Sequence, residues 1–222
     1  VRPACYVAVD IASDFLASAL DSVQCQFPDL PMFGVGTDFS WRLELPEQIP
    51  AARRLFFYPG SSIGNFTPDE AVAFLGSIRG QMGPDGVLWI GVDLHKSTAV
   101  LERAYDDELG VTAAFNRNVL LHVNRLAGTD FALADWRHVA FYDPQQRRIE
   151  MHLEAVRDLV AAWPGGQRPF RARERIHTEN SYKHDIAGFT ALLARAGLRT
   201  TGAWTDPRDW FAFFAAVPAA GR

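Results

Sequence analysis

Leu55-Phe56-Phe57-Tyr58-Pro59-Gly60-Ser61-Ser62-Ile63-Gly64-Asn65-Phe66-Thr67-Pro68-Asp69-Glu70, read onward to Val87-Leu88-Trp89-Ile90-Gly91-Val92-Asp93, decides the fold. The opening residues are an apolar run closed by Pro59-Gly60, the pattern of a buried strand. Thr67 is a capping residue, Pro68 takes the first helical position and Glu70 the third. A helix is therefore predicted to start there, with Ala71, Phe74, Leu75 and Ile78 on its inner face. Gly80, Gly83 and Asp85-Gly86 are expected to break it. Val87 to Val92 is almost continuously apolar, as for a strand covered on both faces. Strand, helix, strand with this patterning is the grammar of an open parallel sheet with crossover helices, and ligands of such sheets sit beyond the carboxyl ends of the strands.

Upstream, Tyr6 to Asp10 reads as another buried strand. A helix introduced by Ser13 as its cap follows, with Leu16, Ala19, Leu20, Val23 and Phe27 at helical spacing. Met32 to Val35 is a short strand ending in Thr37-Asp38-Phe39. Downstream of Ser97 come one or two helices to about Leu126. The pattern then turns antiparallel, with a hairpin predicted from His138 to Tyr142 and from Ile149 to Ala155 around Asp143-Pro144-Gln145-Gln146. Residues 157–169 look loop-rich, Arg175 to Tyr182 extended, and Asp185 to Ala196 helical with Gly197 as its stop. Arg199 to Trp204 and Trp210 to Val217 are expected to return to the main sheet.

The chain has 222 residues, a formal net charge of -4 and ordinary globular proportions of hydrophobic (48%) and charged (22%) residues, which argue against disorder or a coiled coil. An acidic balance, with a pI near 5.9, gives no general attraction to phosphate backbones, so nucleic acid is not an expected partner. Phe211 to Pro218, the longest apolar stretch, is far short of the ~20 residues of a bilayer span, so no membrane association is expected. Cys5 and Cys25 make neither a disulfide framework nor a zinc site, and a cytoplasmic setting fits. Val1 precedes the first strand so closely, with no leader pattern, that the chain is expected to begin partway into a fold.

Gly60-Ser61-Ser62-Ile63-Gly64 matches the nucleophile-elbow pattern G-x-S-x-G. An elbow runs straight from its serine into a helix, however, and the helix signature here begins only at Thr67. A Gly/Ser loop that lets backbone approach a ligand is the better reading. Gly34-x-Gly36 lacks the third glycine and the helix start of a dinucleotide fingerprint. His95, His122, His138, His152, His177 and His184 show no ligand spacing, so no metal is expected. Asp10 and Asp38 end consecutive strands. A carboxylate placed like Asp10 can accept both hydroxyls of a ribose, and Asp38 can take a base amino group with Phe39 against the base. Each aspartate equally suits the cap of the segment after it.

Phe57-Tyr58-Pro59-Gly60-Ser61-Ser62-Ile63-Gly64-Asn65-Phe66, Arg103-Ala104-Tyr105-Asp106-Asp107, Thr112-Ala113-Ala114-Phe115-Asn116-Arg117-Asn118 and Thr178-Glu179-Asn180-Ser181-Tyr182-Lys183 together resemble the histidine-specific methyltransferases of ergothioneine biosynthesis, over essentially the whole chain. The resemblance implies trimethylation of the α-amine of L-histidine to hercynine, with S-adenosylmethionine (SAM) as methyl donor and no metal. The implied fold is α/β: a Rossmann-like class I methyltransferase core with an inserted α+β substrate lobe. The expected division is a partial core over residues 1–108, a substrate-binding lobe over 109–183 and a return to the core sheet over 184–222. Family members carry a longer N-terminal portion with the first core strand and a glycine-rich loop, so that central strand is expected to be missing here.

By the same resemblance Asp10 binds the ribose, Asp38 and Phe39 the adenine, and Gly60 lies beside the reacting end of the methyl donor. Asn65 and Tyr105 hold the substrate α-carboxylate, Met151 lines the imidazole pocket, and Glu179 and Ser181 hydrogen-bond the ring. No side chain is implied as a covalent catalyst, and the oligomeric state is left open. The residues support part of this unaided. Glu179 and Ser181, two apart in an extended segment, share one face about 6.6 Å apart along the strand. A carboxylate and an alcohol so placed match the two nitrogens of an imidazole. Met151 shares parity with Ile149 and Leu153, which by itself suggests a core position. The alternatives are a methyltransferase for another histidine derivative or an aromatic amino acid, and a non-catalytic fragment that binds a partner or ligand.

Overall fold

The computed structural model describes residues 3–40 and 43–220; Val1 and Arg222, which bound the first and last expected units, lie outside the described residues. The chain opens with β1 (Tyr6–Asp10), α1 (Ser13–Gln26) and β2 (Met32–Gly36), and β1 and β2 pair in parallel. Ser13 is not the cap of α1, contrary to expectation. Ala12 takes that position without a side-chain bond, and its N–H is held at 2.8 Å by Asp10 Oδ1 from the end of β1. The glycines of β2 serve packing: a Cβ on Gly36 would lie 2.2 Å from Ser13 Oγ, so glycine lets α1 approach the strand closely.

The next unit is β3 (Leu55–Tyr58), a 3₁₀ turn over Ser62–Asn65, α2 (Pro68–Met82) and β4 (Val87–Asp93), with β3 and β4 parallel. The capping box at Thr67 forms in both directions: Thr67 N–H donates to Glu70 Oε2 at 2.8 Å, and Glu70 N–H to Thr67 Oγ1 at 3.4 Å. Gly80 does not break the helix, which runs to Met82 and ends at Gly83, φ +71°.

There follow α3 (Thr98–Tyr105), α4 (Val111–Ala127), β5 (Trp136–Asp143), β6 (Arg148–Ala155), β7 (Leu159–Trp163), β8 (Gly166–Phe170), β9 (Arg175–Tyr182), α5 (Ile186–Arg195), β10 (Leu198–Thr205) and β11 (Phe211–Pro218). The segment expected to be loop-rich is instead the β7–β8 hairpin, with Trp163 opposite Gly166 and Pro169 opposite Val160. Burial of Ala161 and Phe170 against Trp136 and Leu153 supplies the contacts that the short, Pro/Gly-containing sequence does not advertise.

The four-stranded sheet has the order β10-β11-β4-β3. One face carries Leu88, Ile90, Val92, Ala212, Phe214 and Ala216 and packs beneath α2 and α5 through Phe74, Leu75, Ile78, Met82, Phe189 and Leu193. The opposite face is partly open to solvent among the described residues. Phe57 is 61% exposed and Trp89 43% exposed, and the rings of Phe57 and Phe213 lie 5.9 Å apart. The expectation that β4 is covered on both faces is therefore corrected, because an apolar run signals which residues want burial without saying whether both layers are present. The β1–β2 pair shares no strand pairing with this sheet among the described residues, so β1 and β3 each keep an unpaired edge.

The strands β5-β6-β9 form a separate antiparallel sheet. Its inner face packs on α3 and α4 through two small clusters, one around Trp136, Leu153 and Leu120, the other around Ile149, Met151 and Leu101. Its register slips between Met151 and His152, which face Glu179 and His177 respectively, leaving Thr178 as an extra residue in β9. No helix among the described residues is long and apolar enough to cross a membrane.

Candidate active site

The bulge at Thr178 determines what the two sides of β9 present. Glu179 lies opposite Met151 and Ser181 opposite Ile149, so Glu179, Ser181 and Met151 share the inner face, as the two-residue spacing predicts. His177 would join them in a regular strand. The extra residue turns it to the outer face instead, where its ring stacks on His152 at 4.6 Å. Thr178 Oγ1 secures the bulge by donating to Met151 O at 2.9 Å.

A cavity of about 430 Å³ opens beside this strand, lined by Asn65, His177, Thr178, Glu179 and Asn180. The turn carrying Asn65 is clamped against the cavity from two sides. Ser61, which adopts φ +60°, accepts the N–H of Asp93 on its Oγ at 2.8 Å. Gly64 approaches β9 so closely that a Cβ there would lie 3.0 Å from Tyr182 O. Ser61, not Ser62, is thus the strained residue of the G-x-S-x-G segment, and Ser62 begins the 3₁₀ turn.

Ser181 and Met151 are buried and lie outside the cavity lining. Ser181 Oγ is 2.7 Å from Tyr105 Oη and accepts from Lys183 Nζ at 2.7 Å. Lys183 Nζ also donates to Tyr105 Oη at 2.9 Å and pairs with Asp93 Oδ2 at 2.9 Å. The other oxygen of Asp93 pairs with Lys96. The Tyr105 hydroxyl is thereby engaged by Ser181 and Lys183, and Tyr105 is not among the residues lining the cavity. Its backbone is held too: His138 Nε2 donates to Tyr105 O at 2.8 Å, while Asn116 Nδ2 donates to His138 Nδ1 at 2.9 Å and to His152 O at 3.1 Å. Burial raises the pKa of Glu179, with the Lys183 charge opposing the shift. Its carboxylate has no hydrogen-bond partner among the described residues.

Asp10 and Asp38 lie at the ends of β1 and β2, as read from the sequence. Both are also engaged locally. Asp38 Oδ1 accepts the N–H of Ser40 at 3.1 Å and bonds its hydroxyl. Phe39 turns into the main core, its ring 6.2 Å from Tyr58 and 6.0 Å from Phe74. Gly60 is exposed, and a Cβ there would meet nothing nearer than Ser62 Oγ at 3.8 Å.

Two features escaped the sequence reading. Lys183 continues the alternation of Glu179 and Ser181, and that parity was the available signal. The second is a trio of metal-type side chains, Glu150, His152 and His177, brought together across β6 and β9. Glu150 already bonds Arg148 through Oε1 and His152 Nε2 through Oε2. The two rings lie within 19° of parallel, which directs their in-plane lone pairs along separate planes.

The sequence profile of the histidine-specific, SAM-dependent methyltransferases matches residues 1–218. The chain belongs to that family. This methyltransferase-family chain is 39% identical over 215 residues to the histidine N-alpha-methyltransferase of Mycolicibacterium smegmatis, covering 96% of the chain and 66% of that protein. It is 38% identical over 211 residues to the enzyme of the same name from Mycobacterium tuberculosis, covering 90% of the chain and 63% of that protein. The chain thus spans a little under two thirds of the length of these curated relatives. An L-tryptophan methyltransferase of Psilocybe serbica is 28% identical over 173 residues, 75% of the chain and 46% of that protein. Among solved structures, a SAM-dependent methyltransferase from Clostridium acetobutylicum superposes with a TM-score of 0.53 at 10% identity, covering 97% of this chain and 76% of that one. The fold is therefore the Rossmann-like α/β fold of SAM-dependent methyltransferases.

Proposed function

We propose that this chain carries the histidine-recognising part of an enzyme that transfers methyl groups from SAM to the α-amine of L-histidine, three in succession, giving hercynine. The observation that carries the reading is the placement of Glu179 and Ser181 on one strand face, with Glu179 lining a cavity that Asn65 also lines. A carboxylate without a partner and a hydroxyl fixed by its neighbours form a two-point grip for a ring with two nitrogens. A phenyl ring would leave Glu179 unpaired in a half-buried position, which costs far more than a lost apolar contact. In this reading Asn65 and Tyr105 anchor the α-carboxylate, and Met151 backs the ring. The antiparallel sheet with α3 and α4 serves as the substrate lobe.

SAM supplies a methyl group on a sulfonium centre, so the reaction is an in-line displacement that needs orientation and an unprotonated amine more than a covalent catalyst. The residues at the strand ends suit its nucleoside half. Asp10 keeps Oδ2 open while Oδ1 holds Ala12 N–H, and an exposed Gly60 leaves room beside the turn. Asp10 would take the ribose hydroxyls, Asp38 the adenine amino group, and Phe39 an edge of the base.

The test is an assay of the chain with labelled SAM and, separately, L-histidine and L-tryptophan. The expected product is histidine carrying three added methyl groups, read by mass. Transfer to tryptophan in preference to histidine would assign the site to an aromatic amino acid, and transfer to neither would leave it a binding module.

A further inference from the structure

Asn116 is a buried amide on α4, 4% exposed, and it joins three elements. Both protons of its Nδ2 are used: one goes to His138 Nδ1 on β5 at 2.9 Å, the other to His152 O on β6 at 3.1 Å. The second bond fixes which way the amide points. Reversed, its oxygen would face a carbonyl oxygen with no proton between them.

That orientation decides the protonation of His138. An amide nitrogen only donates, so His138 Nδ1 is bare and the ring proton sits on Nε2. Tyr105 O accepts that proton at 2.8 Å. Tyr105 is the last residue of α3, and its carbonyl is one of those a helix leaves without an internal partner. His138 therefore closes the end of α3, as side-chain donors do at other helix C-termini.

Tyr105 is thus held twice, from different strands. Its hydroxyl is bonded by Ser181 on β9 and by Lys183 just after it, and its backbone by His138 on β5. The first contact sets where the hydroxyl ends, the second how far α3 advances toward it. His152, the other acceptor of the Asn116 amide, stands where β6 slips in register against β9, so the same side chain also ties α4 to the bulge beside Glu179.

We propose that Asn116 and His138 are positioning residues for the substrate α-carboxylate: the buried amide fixes His138 as its Nε2–H tautomer, and His138 fixes the end of α3 that carries Tyr105. The inference rests on the reading above, in which Tyr105 anchors that carboxylate. Neither residue touches the ligand in this role, and both act through Tyr105.

The experiment uses the two amides that divide the imidazole between them. Asparagine at position 138 reaches about as far as Nδ1, so His138→Asn can meet Asn116 but not Tyr105 O. Glutamine reaches about as far as Nε2, so His138→Gln can meet Tyr105 O but not Asn116. Calorimetry is expected to show L-histidine bound about fivefold more weakly by His138→Asn, with affinity recovered to within about twofold in His138→Gln and SAM affinity equal in both. A role confined to folding would track the melting temperature and treat the two amides alike. Equal losses in the two variants, or no loss in either, overturn the inference. A second measurement needs no variant: nitrogen–proton NMR of the ring nitrogens of His138 in the unaltered chain at pH 8.5. A protonated Nε2 and a bare Nδ1 are expected, and a proton on Nδ1 overturns the inference. Each of these failures, with histidine still bound by the unaltered chain, leaves the reading of function standing. No histidine binding by the unaltered chain overturns that reading and this inference with it.

Discussion

Asp10 and Asp38 after β1 and β2, and Glu179 and Ser181 on β9, are both polar pairs at strand positions that suit a ligand, yet they are held in different ways. The aspartates bond backbone two residues onward, Asp10 to Ala12 and Asp38 to Ser40, with Asp10 half-buried and Asp38 exposed. Ser181 is tied to Tyr105 on α3 and to Lys183, which is tied in turn to Asp93 at the end of β4. The first pair is set by local turn geometry. In the second, Ser181 is set by contacts among segments distant in sequence, so it is fixed before a ligand arrives, while Glu179 keeps its carboxylate unpartnered among the described residues.

Three substitutions test that contrast. Glu179→Ala is expected to have the largest effect, weakening histidine binding by about 30-fold, the scale of a charge-assisted hydrogen bond, with little change in SAM affinity. Calorimetry with each ligand separates the two, and equal losses would reduce Glu179 to a folding role. Asp10→Ala is expected to lower SAM affinity by about tenfold and leave histidine binding intact, as for loss of an exposed hydrogen-bonded contact. Unchanged SAM affinity would remove Asp10 from the site and leave it a turn cap.

The smallest expected effect concerns His184, whose N–H bonds Asp93 O at 3.0 Å where β9 meets the end of β4. Burial lowers its pKa from 6.5 to about 4. The unfolded chain therefore binds this proton more readily, and the stability of the neutral histidine, present above pH 6.5, is lost as the pH falls toward about 4. His184→Phe, which keeps the ring against Phe189, is expected to flatten that acid limb in thermal melts recorded across the interval. An unchanged limb would place the acid sensitivity elsewhere.

The fold was legible where local chemistry and tertiary structure agree. Thr67-Pro68-Asp69-Glu70 announced α2 because its capping box is satisfied within one turn. The parity of Glu179 and Ser181 placed them on one face because β9 is regular between them. Other features depend on partners that sequence spacing does not reveal. An extra β-branched residue at Thr178 looks like any strand residue, yet it sends His177 to His152 rather than toward Glu179. The β7–β8 hairpin forms because Phe170 has Trp136 to pack on, with ring centroids 5.0 Å apart. The partly open face of β4 was hidden for the same reason, since Trp89 has the same apolar character whether or not a layer covers it.

The turn between Pro59 and Phe66 has one further consequence. Gly60 stands at its start and Asn65 near its end, and Ser61 and Gly64 pin what lies between to Asp93 and to Tyr182. A disturbance between these two close contacts is therefore expected to reach both ends of the segment. Loosening either pin would be expected to degrade grip on methyl donor and amino acid in step, so correlated losses across two ligands would be the signature of damage here.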